Sequence, residues 1–196
     1  MAYQKEVFVQ QLPLVDRFAR HLIHYRVIRS NPTSHWRRSW FWSDTYDAHL
    51  LQASMYWCMG FGSQGQNLTH LRHLAVDRAD DLQNSFRDRL LADLRISESE
   101  WKAYWKEMLA FRNKYVAHRE PGFKQPVPVF DRALETAFSY DEWVREVIHP
   151  DLLDSPPLRQ LVSEWQRSIG LEVSAAIEAS TAEPRPCSGP AHRAGR

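Results

Sequence analysis

A chain of 196 residues with 43% hydrophobic content and eight Trp is large enough to bury a real core, which excludes a disordered polypeptide despite 25% charged residues. A net charge of +1 argues against a polybasic nucleic-acid-binding surface but leaves room for a locally basic cleft, and the cations are 20 Arg against 5 Lys. Cys58 and Cys187 are too few for a disulfide framework or a cysteine-rich zinc site, and no apolar run approaches the ~18 residues of a membrane span.

Met1 to Gln11 carries Lys5 and Glu6 and has no uninterrupted apolar core, so a secretory signal is not expected and a soluble, cytoplasmic protein is. Residues 7–28 then place Phe8, Leu12, Val15, Phe18, Leu22 and Tyr25 at helical spacing, with Pro13 either starting that helix or kinking it. Asn31-Pro32-Thr33-Ser34 breaks the pattern. His35 to Trp42 interleaves aromatic and Arg residues, which could stack on bases or simply pack a helix–helix corner. Tyr46, Leu50, Ala53, Trp57 and Phe61 predict a second amphipathic helix, stopped at Gly60-Phe61-Gly62-Ser63.

Residues 63–79 read as a loop. His70 and His73, near Asp77, Asp80 and Asp81, have the spacing of two zinc ligands, but no third ligand is fixed. Leu82 to Leu94 predicts a short helix. Ser97-Glu98-Ser99-Glu100 fits a capping box, with Ser at the cap and Glu three residues on. The helix it opens lines up Trp101, Trp105, Met108, Arg112 and Tyr115/Val116. An Arg on that apolar row needs an anion, a carboxylate or a partner subunit. Pro121 to Pro128 is an irregular connection. Phe130, Leu134, Ala137, Asp141, Val144 and Ile148 repeat at helical intervals, and Asp141 on that apolar line is a candidate partner for Arg112. Leu158 to Ile177 gives a last helix, and 182–196 reads as a disordered tail. The expected fold is an all-α, single-domain bundle of about five helices over residues 1–181.

The stretch Phe111-Arg112-Asn113-Lys114-Tyr115-Val116-Ala117-His118-Arg119-Glu120 combines an Arg, an amide and a His. Arg binds a phosphate oxyanion through a rigid fork, and His moves protons near neutrality, so the pair could serve phosphodiester cleavage. Six residues along an ideal helix leave Arg112 and His118 about 120° apart and about 9 Å along the axis, so they do not share a face. With 9 His in the chain, a loose Arg…His template should occur roughly three times by chance, and four such pairs exist: Arg17/His24, Arg29/His35, Arg112/His118 and Arg185/His192. Of these, Arg112/His118 alone has an amide directly after the Arg and lies late in a well-formed internal helix.

That segment resembles the Arg-(four to six residues)-His motif of the HEPN superfamily. Its Arg-Asn-Lys-x-x-Ala-His wording is similar to the abortive-infection (AbiU-like) branch. The run Trp57-Cys58-Met59-Gly60-Phe61-Gly62-Ser63 is similar to the same branch, and the likeness spans roughly Trp40 to Ile148. The resemblance implies a homodimeric, metal-independent endoribonuclease without cofactor, acting in phage defence or a toxin–antitoxin system, with Arg112, Asn113 and His118 catalytic. RNA would be cut through 2′-hydroxyl attack to give a 2′,3′-cyclic phosphate. Some HEPN toxins carry a Tyr two residues after the His, where a nucleotidyltransferase partner modifies them. Glu120 stands at that position here, which leaves an antitoxin or nucleotidyltransferase partner in doubt. Two alternatives stay open: a non-catalytic HEPN-type binding or scaffold module in which the motif knits the dimer, and a metal-dependent phosphohydrolase built on His70 and His73.

Overall fold

The computed structural model describes residues 3–32, 37, 39–63, 65, 67–74, 79–124, 126–148 and 155–181. The expected tail, 182–196, lies outside them, as do part of the aromatic stretch after His35 and the side chains of Asp77 and Asp80. The fold is all-α and single-domain, with six helices and no strand among the described residues. They are α1 (Lys5–Ser30), α2 (Trp40–Phe61), α3 (Ala79–Leu94), α4 (Glu98–Phe111), α5 (Phe130–Trp143) and α6 (Leu158–Thr181). None is long and apolar enough to cross a membrane.

Helix α1 packs along α2 and α6, α3 lies against α5, and α4 lies on α2. Phe18, Leu22, Ile23 and Ile28 of α1 are buried with Trp57 of α2 and Tyr140 and Trp143 of α5 in one core. Pro13 neither starts nor breaks α1, which runs through it. The carbonyl that loses its donor belongs to Val9, which is exposed, so water can replace the missing bond. Gln11 is fully buried and fully used: its Nε2 donates to the Thr69 carbonyl at 2.9 Å, and its Oε1 accepts from the Tyr140 hydroxyl. One side chain thereby joins α1, α5 and the turn before α3.

Ser39 caps α2 by accepting from the Trp42 backbone N–H, and Trp42 is buried while Trp40 and Phe41 are exposed. Among the described aromatics of this stretch, the corner reading fits Trp42. Gly62 ends the helix because a Cβ there would sit 2.4 Å from the Cys58 carbonyl oxygen. Between α2 and α3 the chain makes a 3₁₀ turn over Leu71–Leu74.

Ser97 and Glu100 form the expected capping box at the start of α4, the Glu100 carboxylate accepting from the Ser97 N–H at 2.8 Å. The stripe α4 buries is Tyr104, Met108 and Phe111, one step round from the expected row; Trp101, Trp105, Arg112, Tyr115 and Val116 flank it half-buried. Tyr104 also donates to the Val129 carbonyl at 3.1 Å, tying α4 to the start of α5.

Asp141 is buried as expected, but Arg112 is not its partner. Its Oδ2 accepts from Arg145 Nε at 2.9 Å and from the Leu158 backbone N–H at 2.8 Å. Arg145 lies one turn on, in the π turn Val144–Ile148 that continues α5, within direct reach of Asp141. The carboxylate also answers the Leu158 N–H, one of the donors that the first turn of α6 leaves without an intrahelical partner.

Candidate functional site

The candidate site grows out of the far end of α4. From Arg112 to Ala117 the helix widens into a π turn, with bonds running to the fifth residue back. The His118 N–H donates to the Asn113 carbonyl at 3.2 Å. Arg119 then takes a left-handed conformation (φ 47°), a cost of ~1 kcal/mol for a residue with a Cβ. Three local contacts offset that cost. The Glu120 N–H reaches the Lys114 carbonyl at 2.6 Å, Lys114 pairs with Glu120 at 3.3 Å, and the Arg119 guanidinium stacks 4.5 Å over the Tyr115 ring. Phe111 and Tyr115 stack at 5.1 Å inside the same turn.

This widening changes which motif residues are neighbours. Residues five apart lie about 140° apart round an α-helix, whereas a π turn stacks them one above the other. Asn113 and His118 therefore succeed each other at the helix end, and both are exposed. Arg112 is half-buried, with its guanidinium beside the Cys58 thiol of α2. Burial pushes that thiol up to about 11 even with the cation adjacent, so Cys58 stays protonated and inert near neutrality.

Arg112 makes no ion pair among the described residues, and its Nε is buried without a hydrogen-bond partner there. Other arginines of the fold are used: Arg26 meets Asp131, Arg89 meets Asp93, Glu142 and Glu146, and Arg159 meets Glu135. The structure thus brings Asn113 and His118 together, and Arg112 faces inward next to them. Sequence reasoning missed both the π turn and the meeting of Arg112 with Cys58. Nothing in residue spacing signals the turn, but the likeness carried by Trp57-Cys58 and by Arg112-Asn113 had already marked both sides of that contact.

The second candidate cluster dissolves on inspection. His70 is buried, its Nδ1 accepts from the Arg72 backbone N–H at 3.0 Å, and it also bonds the Gly62 backbone. Burial lowers its pKa to about 4, so it is a neutral, fully engaged structural residue. Among the described residues no three His, Cys, Asp or Glu side chains could hold a metal ion. A different histidine cluster went unforeseen. His21 and His49 bond Nδ1 to Nδ1 at 2.8 Å between α1 and α2, and His24 stacks on His49 with centroids 4.5 Å apart.

Comparison with family models, curated proteins and solved structures finds no match to this chain.

Proposed function

We propose that the chain is a HEPN-type, metal-independent endoribonuclease that works as a homodimer, with Arg112, Asn113 and His118 at the scissile phosphate. The observation that carries this reading is the uncompensated cation. A half-buried Arg without a carboxylate, holding a buried and unused Nε–H, is costly in an isolated fold and is repaid when an oxyanion arrives. The π turn is the second support: such turns concentrate at functional sites, and this one, unlike the π turn at Val144–Ile148, carries the motif residues. The third is that the two stretches resembling the abortive-infection branch, fifty-odd residues apart in sequence, touch through Cys58 and Arg112.

In the proposed step His118 takes the proton of the ribose 2′-hydroxyl. The 2′-oxygen attacks phosphorus, the bond from phosphorus to the 5′-oxygen breaks, and the leaving oxygen takes a proton from water. The products are a 2′,3′-cyclic phosphate and a 5′-hydroxyl end. Arg112 neutralises charge growing on the phosphorane oxygens, a contribution of about 10²–10³ in rate at comparable sites. Asn113, stacked below His118, orients the phosphate or the imidazole. A second copy supplies the convergence that one chain lacks. Ala103 on α4 and Ala117 at the end of the π turn are exposed and small enough to let another helix approach closely.

One observation favours the non-catalytic scaffold reading. Arg112 lies against Cys58 and does not reach out toward His118. Incubating labelled RNA with the pure protein and EDTA separates the two. Cleavage to cyclic-phosphate ends that disappears in His118→Ala supports the ribonuclease. Intact RNA with retained binding supports the scaffold.

A further inference from the structure

A cavity of about 410 Å³ lies between the end of α2, α3 and the first turns of α4, away from the Arg112 motif. Its walls are aromatic: Phe61, Phe86, Trp101 and Trp105. Trp105 is fixed in place by its Nε1–H, which donates to the Phe61 carbonyl at 2.8 Å, and Phe61 and Phe86 stack at 6.1 Å. At the mouth stand two cations, Arg87 and Lys102, with side chains 37% and 62% exposed. They share a single carboxylate, Glu98, which meets Lys102 at 2.8 Å and Arg87 at 3.8 Å. Among the described residues, two positive groups against one negative leave the mouth with a net positive charge.

We propose that this cavity binds a small amphipathic carboxylate, with an aryl ring or short acyl chain held between the aromatic walls and the carboxylate on Arg87 and Lys102. The size falls within the range of small-molecule sites, and apolar walls with a few convergent polar groups are their usual chemistry. Charge complementarity selects an anion. The floor selects against a nucleobase. The Trp105 N–H is spent on Phe61, and His70 is spent on Arg72 and Gly62. Among the described residues, Ser63 and Gln83 are the remaining uncharged polar side chains of the lining, too few to satisfy the edge of a base. A hydrocarbon body loses nothing there. The site is independent of the ribonuclease reading, since it uses none of Arg112, Asn113 or His118.

The test uses the full-length protein with four probes: indole-3-acetate, octanoate, neutral indole and AMP. Quenching of Trp fluorescence, with calorimetry for stoichiometry, reads binding. Both carboxylates should bind saturably at one per chain, with indole at least about tenfold weaker because it lacks the charge-assisted contact. An R87M/K102M double variant should weaken indole-3-acetate about tenfold and leave indole unchanged. E98Q should act the other way and tighten indole-3-acetate about threefold, since it releases both cations from their present partner. If the double variant loses its circular dichroism, the sign of the E98Q effect decides, because Glu98 is exposed. Failure of both carboxylates to saturate, equal affinity for indole and indole-3-acetate, or unchanged or weaker binding by E98Q overturns the proposal. AMP binding tighter than indole-3-acetate also overturns it, in favour of a nucleotide.

Discussion

The backbone N–H of His118 bonds the carbonyl of Asn113, 3.2 Å away and five residues back. That single bond decides the make-up of the exposed part of the motif. It brings the two residues one turn apart at the exposed helix end, while Arg112 turns inward beside Cys58. Asn113 and His118 are exposed, and no hydrogen bond of their side chains is seen among the described residues. Replacing either with Ala should shift stability by no more than ~0.5 kcal/mol, the usual range for surface positions. Cleavage of RNA by His118→Ala should nevertheless vanish, and binding should persist through Arg112. A His118→Ala protein that melts normally and cuts RNA at the wild-type rate refutes the ribonuclease reading at this motif.

Stability should respond very differently at Asp141. This carboxylate is 4% exposed and holds both Arg145 and the N–H of Leu158, while Arg145 reaches the Ser155 carbonyl at 2.7 Å and the Pro156 carbonyl at 3.0 Å. Asp141→Ala removes the buried carboxylate that Arg145 bonds and uncaps α6, so it should cost ~3 kcal/mol or more. Arg112→Ala breaks no ion pair and should cost ~1 kcal/mol or less. Urea denaturation of the two variants checks the order. The reverse ranking would mean that Arg112 is the structural residue and Asp141 the dispensable one.

The helices were legible because their signals are local. Ser97 and Glu100 announce the start of α4, Gly62 the end of α2, and the periodic apolar residues of α1, α5 and α6 their buried faces. What stayed hidden is set by tertiary contact. Asp141 on an apolar line says that a carboxylate is buried, but not that Arg145, one turn away, reaches it before Arg112 does. The π turn at Arg112–Ala117 has no sequence signature, since it follows from how Phe111 and Tyr115 stack and how the chain leaves through a left-handed Arg119. The aromatic cavity was invisible for the same reason: Phe61, Phe86 and Trp101 come from three helices that only the fold brings together.

The protein should lose stability in acid before its carboxylates titrate. Burial lowers His49 and His70 to about 4 and lowers His21 as well, with the neighbouring imidazoles adding to the effect at His21 and His49. In each case the folded pKa lies below the unfolded value near 6.5, so the unfolded chain binds more protons. Stability is therefore complete above about pH 6.5 and declines as pH falls toward about 4. Water reaches His49, which reduces its share to ~1 kcal/mol, beside ~2 kcal/mol from His70, and His21 adds in the same sense. Asp16, whose carboxyl burial raises, works in the opposite sense and recovers a small part at the acid end. Melting temperatures measured across this range should fall, and His49→Gln should flatten the limb. A flat profile in the wild type would show that these imidazoles are protonated in the fold without penalty.

The last expectation concerns which chains build one cleft. Arg112 turns inward beside Cys58, while His118 stands exposed at the helix end, so a single chain does not converge the two side chains. In a two-fold dimer the Arg of one subunit can complete the site at the His of the other, and the reverse pairing forms a second equivalent site. Light scattering should then report twice the 23.0 kDa chain mass. Subunit mixing tests the arrangement directly. Neither Arg112→Ala nor His118→Ala alone should cut RNA. A mixed dimer of the two has one site lacking both groups and one site with both intact. Half the dimers in an equal mixture are mixed, and each carries one of two sites, so activity should return to about a quarter of wild type. If each site drew its Arg and His from the same chain, every site in every mixed dimer would lack one group, and activity would stay at zero. Co-refolding the two variants at equal concentration, with circular dichroism confirming that both are folded, distinguishes a shared cleft from two separate ones.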